Sequence, residues 1–428
     1  MKGIDRNMVL EKMLAGAESR LEYRKIHAIS KSGRYYAEAI RNYYAQVRNA
    51  GEEDKPLAWT SLFIPVELLY AMGIVPFVLE QYVIQFMAQE LNTDYLDLGE
   101  GLGFSSESCS PHRAAIGMAK AGLLPLPDLI LSTAPLTCDS STTMFELLGD
   151  LCNCPGYFLD LPYSYDEEAV KYLARELQEL AQYLKDRTGR RLNQDKLEEI
   201  LKISRQTDHY FHLTHQLRRS IPSPLRSREA FSAFALRFYC EGLPETLEFF
   251  KAQYEETRDK VERQQGGLPE ERLRVAWFGL YPFFDMKLID WMEDTYKASV
   301  AADMMNLLPF EENQRSFSDP WETLAWNRLN FMGLRCCLPY EGFKEDMINT
   351  CREMNLDGFI FFANFGCKQT SNFFMLLRKD LSKELGLPIL MITGDPLDPR
   401  ITSTHQIKSL LDEYFKTLEA KASKVRRS

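Results

Sequence analysis

Three cysteines, Cys109, Cys138 and Cys367, share one kind of sequence address. Each stands in a loop just before residues that begin a helix: SSESCSPHRAAIGMAKAG, LPDLILSTAPLTCDSSTTMFELL and DGFIFFANFGCKQTSNFF. A lone buried cysteine is most often a small core hydrophobe. Three at one address point instead to thiolate chemistry, because a helix N-terminus offers unpaired N–H groups that favour an anion. Their wide separation excludes a zinc knuckle or a C-x₂-C ferredoxin run, whose ligands lie a few residues apart. They can act together only if two lobes bring them to a common cleft.

The other reactive residue types are less suggestive. Cys152 and Cys154 (CNCP) and the adjacent Cys336 and Cys337 (GLRCCLPY) read as packing residues, with one of the last pair open as a further ligand. Cys240 and Cys351 fall in helical patterns and read as structural. HYFHLTH supplies His209, His212 and His215, but no HExxH accompanies them, so a polar helix face is expected rather than a zinc site. GEGLGF is not G-x-G-x-x-G, and no G-x-x-x-x-G-K-[ST] occurs, so neither dinucleotide nor nucleotide loop is expected. In GDPLDPR, Asp395 and Asp398 have two readings, ligand or cation binding and Asx turns that cap themselves. Ser61 and Glu67, in TSLFIPVEL, fall at the edge of a strand and the start of the next helix, where Glu67 has the type and place of an acid or base.

The elements that must position these residues are legible as apolar runs. LAWTSLF, LPDLILST and GYFLDLP in the first half, and RLRVAWFGL, ASVAADMM, DGFIFFANFG and LPILMITGD in the second, read as short buried parallel strands with helices between them. The predicted class is α/β, with two Rossmann-like (flavodoxin-like) domains. An N-terminal helical arm (1–55) precedes the first α/β domain (56–165). A helical insert (166–268) of long amphipathic segments separates it from the second α/β domain (269–428). In open sheets of this kind ligands bind at the carboxyl edge of the strands, which is where Cys138 and Cys367 are predicted to lie.

Composition narrows the class further. With 428 residues and 45% hydrophobic content, the chain has enough material for more than one core. A formal charge of −10 argues against nucleic-acid binding, and no run is apolar enough to span a membrane. The charged N-terminus gives no secretory signal, and nine cysteines, an odd number, do not suit a disulfide framework, so a reducing cytoplasmic location is expected. An acidic ligand would need a local basic pocket. Arg218, Arg219, Arg226 and Arg228 in LRRSIPSPLRSR form the richest candidate, against a plainer reading as a solvated helix end and loop.

Taken in order, TSLFIPVELLYAMG, SESCSPHRAAIG, PDLILS…TCDSSTTMFELL, the IPSP break, FFANFGCKQTSN and LPILMITGDPLDPR resemble the 2-hydroxyacyl-CoA dehydratase and benzoyl-CoA reductase family over residues 56–415. The resemblance implies that Cys109, Cys138 and Cys367 hold one [4Fe–4S] cluster and leave one iron open to a substrate oxygen. It implies a partner, a homologous second dehydratase subunit, and an acyl-CoA substrate. One electron converts the thioester carbonyl of a 2-hydroxyacyl-CoA to a ketyl radical, hydroxide leaves, a proton is lost, and the electron returns. A separate ATP-dependent iron–sulfur activator is implied as the electron donor. Going from about −400 mV to about −700 mV costs roughly 7 kcal/mol for one electron, at about 2.3 kcal/mol per 100 mV. The alternatives within the same resemblance are an aromatic acyl-CoA reductase subunit and a non-catalytic electron-relay subunit.

Overall fold

The computed structural model describes residues 7–27, 30–306, 315, 317–331, 337 and 339–425. Two amphipathic helices, α1 (Met8–Ile26) and α2 (Lys31–Asn49), precede the first sheet. That sheet contains β1 (Leu57–Thr60), β2 (Val75–Val78), β3 (Leu129–Thr133) and β4 (Gly156–Leu159), all parallel, in the order β2-β1-β3-β4. Its crossovers are α3 (Val66–Ala71), then α4 (Leu79–Gln89), α5 (Asp94–Gly101) and α6 (Ser110–Lys120), then α7 (Asp139–Cys152). Four helices follow: α8 (Glu167–Thr188), α9 (Gln194–Leu217), α10 (Ser227–Tyr239) and α11 (Pro244–Glu262).

The second sheet repeats the first. Strands β5 (Leu273–Phe278), β6 (Ala298–Asp303), β7 (Gly358–Asn364) and β8 (Ile389–Gly394) are parallel and run in the order β6-β5-β7-β8. Helices α12 (Lys287–Tyr296), α14 (Tyr340–Glu353), α15 (Lys368–Leu385) and α16 (Thr404–Val425) accompany it, whereas α13 (Pro320–Leu329) packs on α8 and α9 of the first half. Both sheets carry the order of a doubly wound α/β unit, so the α/β expectation holds. Buried apolar runs explain the central strands: every residue of β3, β5 and β7 is buried, as expected where helices cover both faces.

One strand escaped the sequence reading. GIVPFV contains Pro76, which lacks an N–H, yet β2 forms as a parallel partner of β1. It lies at the edge of its sheet, the position where a proline costs no interior ladder bond.

The lobes are pinned together by a buried ionic knot. Arg113, on α6 and 1% exposed, extends into the loop after β8. Its Nη2 lies 3.3 Å from Asp395 Oδ2, its Nη1 3.3 Å from Asp398 Oδ2, and its Nε donates to the Ser108 carbonyl at 3.1 Å. Glu100 closes the same cage. The backbone N–H of Leu397 adds a bond to Ser110 Oγ at 3.1 Å. Asp395 Oδ1 also accepts from Leu397 N and Asp398 N at 3.0 and 2.9 Å, the self-capping turn anticipated for this loop. Both acids are therefore committed to joining the second lobe to the loop that carries Cys109.

Removing the cation would leave the buried Asp395 carboxylate without its counter-charge, a change that costs about 3–5 kcal/mol. Arg113→Met is expected to lower the urea midpoint by that equivalent, whereas Arg400→Met, at the exposed rim of the same cage, is expected to cost less than about 1 kcal/mol. Equal losses would show that the buried knot does not carry the lobe contact.

Candidate functional site

All three cysteines are helix N-caps. Cys109 caps α6, Cys138 caps α7 and Cys367 caps α15. For α6, Ser110 is the first helical residue, followed by Pro111. At Cys138 the sulfur takes the place where a serine or aspartate oxygen commonly caps; the Cys109 and Cys367 side chains make no capping bond to their helices. Cys138 Sγ accepts from Ser141 N at 3.4 Å, and Cys367 Sγ lies 3.1 Å from Thr370 Oγ1.

Strand order accounts for the likeness of two of these positions. Cys138 follows β3 and Cys367 follows β7, the corresponding strands of the two sheets, so both reach a carboxyl edge beside the point where the crossovers change direction. Cys109 arrives differently, on the helix that feeds β3. It meets the second lobe through a close backbone contact: a Cβ on Gly366 would lie 2.6 Å from Cys109 Cα and from the Ser108 carbonyl carbon. Only glycine lets the Cys367 loop lie that close. Asn364, at the end of β7, donates from Nδ2 to Cys109 Sγ at 3.2 Å and accepts from Gly366 N at Oδ1 at 3.1 Å. Lys368 and Asp139 pair across the same junction at 3.5 Å, and Gln369 Nε2 donates to the Leu136 and Cys337 carbonyls at 3.3 and 2.8 Å.

The thiols sense one another. Burial is the largest cause raising the thiol pKa of Cys109, followed by the negative charges of Asp395, Cys367 and Cys138. Burial also pushes Cys138 well above the usual thiol range, with Cys367 next in importance. Desolvation therefore outweighs the helix N-termini at Cys109 and Cys138, and without a bound cation these two sulfurs hold their protons. Such a set suits a polynuclear positive centre, whose binding discharges protons from the sulfurs it captures. Among the described residues no three His, Cys, Asp or Glu side chains can share a single metal ion. A cluster does not require them to, because each cysteine of an iron–sulfur cube binds a different iron. The cysteines and the glycine cradle fit such a group.

Beside Cys138, an acid the sequence reading passed over comes into view. Glu80, just after β2, is 2% exposed and accepts from Ser141 Oγ at 2.8 Å through Oε1; its Oε2 has no hydrogen-bond partner among the described residues. Burial raises its pKa to about 7, against the pull of Ser141 and the Glu80 and Leu62 N–H groups. His112 stands 4.0 Å away through Nε2, with Nδ1 2.7 Å from Ser140 Oγ, and burial lowers it to about 4, so it is neutral at pH 7. Ser61, at the end of β1 next to Leu62, is 1% exposed and its Oγ also lacks a partner among the described residues. Glu67 points elsewhere: its Oε2 lies 3.5 Å from Arg328 Nη2, and both groups are buried.

The remaining candidates are occupied or lie apart. Arg218 pairs with Asp303 at 3.7 Å, Arg219 with Glu353 at 2.7 Å, Arg226 with Glu293 at 2.8 Å and Arg228 with Asp290 at 2.7 Å. That stretch is accordingly neither a free basic pocket nor a merely solvated loop. His212 and His215, on α9, are bonded to Gln216 and Arg218. Cys240 and Cys351 are buried, as expected of structural residues. Cys337 is buried near Leu136, and Cys336 lies outside the described residues.

Two similar parallel lobes with thiols capping helices on both sides of their junction define a two-lobed α/β protein with a cysteine-bearing interface. The chain belongs to the family described as 2-hydroxyglutaryl-CoA dehydratase, D-component, whose sequence profile matches residues 61–418. It is 22% identical to the (R)-phenyllactyl-CoA dehydratase alpha subunit of Clostridium sporogenes, covering 91% of this chain and 96% of that one. The (R)-2-hydroxyisocaproyl-CoA dehydratase alpha subunit of Clostridioides difficile is also 22% identical, with 89% and 94% coverage. One of the subunits of the benzoyl-CoA reductase of Thauera aromatica is 24% identical, with 90% and 94% coverage. Among the described residues no helix is long and apolar enough to cross a membrane.

Because Gly366 has no room for a methyl group, Gly366→Ala is expected to force the Cys109 and Cys367 loops apart, at a cost of about 1–3 kcal/mol. Cys109 in the metal-free protein should then alkylate faster with iodoacetamide at fixed pH. Unchanged labelling together with unchanged stability would show that the two loops do not depend on this contact.

Proposed function

We propose that this chain is a subunit of a 2-hydroxyacyl-CoA dehydratase that holds a [4Fe–4S] cluster on Cys109, Cys138 and Cys367. The observation that carries the reading is the arrival of three helix-capping thiols, remote in sequence, at one junction between two parallel sheets. When bound, such a cluster with three protein sulfurs supplies a single electron at low potential, enough to make a ketyl from a thioester carbonyl, and an open coordination position. The electron comes from a separate ATP-dependent activator, and a homologous second subunit completes the enzyme, in keeping with relatives named as alpha subunits.

The chain's own residues carry the proton. Glu80 begins protonated, with Oε1 held by Ser141 and Oε2 left to bear the proton. It gives that proton to the departing 2-hydroxyl as the C2–O bond breaks. The resulting carboxylate takes a proton from C3 as that C–H bond breaks, so water leaves and Glu80 is restored. Ser61, with an unpartnered buried hydroxyl beside Leu62, binds and orients the acyl group. Glu67 holds Arg328 and so steadies the first turn of α3. Burial of the edge excludes bulk water from these transfers.

Anaerobically purified protein is expected to contain iron and acid-labile sulfide. Cys109→Ala, Cys138→Ala and Cys367→Ala should each lose them, whereas Cys240→Ala and Cys351→Ala should not. With partner and activator present, a 2-hydroxyacyl-CoA should yield an enoyl-CoA without net consumption of reductant. Stoichiometric consumption with reduction of an aromatic acyl-CoA would favour the second reading, a reductase subunit, which the likeness to the benzoyl-CoA reductase of Thauera aromatica supports.

Glu80→Gln is expected to slow turnover by about 100- to 10,000-fold, the usual range for a general acid–base group. Because the cycle starts from the protonated acid, wild-type turnover should fall as pH rises through about 7. A rate that rises through the same range would refute the assigned starting state.

A further inference from the structure

Each of the three sulfurs has a hydrogen-bonding neighbour, and two of those neighbours are side chains left without a role by the proton chemistry. Ser141 N serves Cys138, a main-chain group that substitution cannot remove. Asn364 serves Cys109 and Thr370 faces Cys367.

Asn364 is 1% exposed, and its amide has only one workable orientation. Oδ1 must face the Gly366 N–H at 3.1 Å, which turns Nδ2 towards Cys109 Sγ at 3.2 Å. The opposite orientation would set N–H against N–H and an oxygen against the sulfur. Its main chain reaches the other cysteine loop as well, for the Asn364 carbonyl accepts from Cys367 N at 3.0 Å and from Ser371 Oγ at 3.2 Å. One residue thus touches Cys109 through its side chain and Cys367 through its backbone. Thr370, within the first turn of α15, places Oγ1 3.1 Å from Cys367 Sγ, and its hydroxyl can rotate to donate to a thiolate.

We infer that Asn364 and Thr370 are positioning residues that set the electron affinity of the group held by Cys109, Cys138 and Cys367. The inference rests on the cluster reading above and goes beyond it. An added electron increases the negative charge on the coordinating sulfurs, and a fixed donor favours that more negative state, most strongly where water is excluded. Asp395 acts in the opposite sense on Cys109. The two donors therefore offset a site whose burial and neighbouring charge both disfavour reduction.

The test is a potentiometric titration of the full-length, anaerobically purified chain, followed by electron paramagnetic resonance, with iron and sulfide content measured on the same samples. Asn364→Leu removes the donor while keeping the branched heavy-atom skeleton, and Thr370→Val removes the hydroxyl while keeping the branched shape. Expected are parental iron and sulfide contents and more negative midpoints. For Asn364→Leu the preference for the reduced state should weaken roughly tenfold, which is about 59 mV for one electron; Thr370→Val should shift in the same direction by less. Loaded variants with the parental midpoint would overturn the inference while leaving the cluster reading intact. If Asn364→Leu does not load, a parental midpoint in Thr370→Val overturns the inference and a lowered one supports it. Parent protein free of iron and sulfide would remove the cluster reading itself, and the inference with it.

Discussion

The backbone approach of Gly366 to Cys109 is the constraint on which the site depends. Three thiols separated by long stretches of chain cannot be held by a local turn, so rigid elements must deliver them. Strands β3 and β7 do this for Cys138 and Cys367, since each ends in a loop whose position is fixed by a buried sheet. Cys109 has no strand of its own. It is placed by contact with the opposite lobe, and that contact is possible only because residue 366 lacks a side chain. Asn364 closes the junction from one side, and Arg113, with the Asp395 and Asp398 loop, closes it from the other. The geometry of the cysteines is therefore a property of the interface between lobes.

Electrostatics at that junction make the Cys109 and Cys138 thiols poor nucleophiles. Helix N-termini favour thiolates, but burial and mutual repulsion weigh more heavily, and both push Cys109 and Cys138 upward. A redox cysteine that attacks a disulfide requires the reverse balance, a thiolate already present near neutral pH and open to solvent. On the cluster proposed above, charge comes to the sulfurs as the centre displaces their protons, and loading is then favoured as pH rises, because each captured sulfur gives up a proton.

Much of this was legible in the amino-acid sequence, and what escaped has physical reasons. Apolar runs bounded by Pro and Gly mark seven of the eight strands, and the three cysteines stand out because each precedes helix-forming residues. The missed strand, Val75–Val78, contains a proline that argues against a strand until its edge position is known. Glu80 follows that strand directly, so losing the strand hid the acid. Glu67 has the more conspicuous sequence context, yet its partner Arg328 lies in a remote helix, α13, and no local pattern foretells that pairing. Asn364 and Arg113 belong to the same class. Their importance lies in what they meet across the lobe junction, and neither residue type nor spacing encodes that.

The repetition of the two sheets exposes a division of labour. Strands β2 and β6 hold the same place in their sheets, and each delivers a carboxylate to the carboxyl edge, Glu80 in one lobe and Asp303 in the other. The environments differ. Asp303 faces the Arg218 guanidinium at 3.7 Å and accepts from Met305 N at 3.1 Å. Glu80 meets no Lys or Arg among the described residues, and its neighbour His112 is uncharged at pH 7. Burial without such a partner drives the Glu80 carboxylate toward its neutral form, up to about 7. On the function proposed above, the proton carrier thus sits in the lobe that also supplies Cys109 and Cys138, while the other lobe supplies Cys367, Gly366 and Asn364 as fixed structure that closes against them.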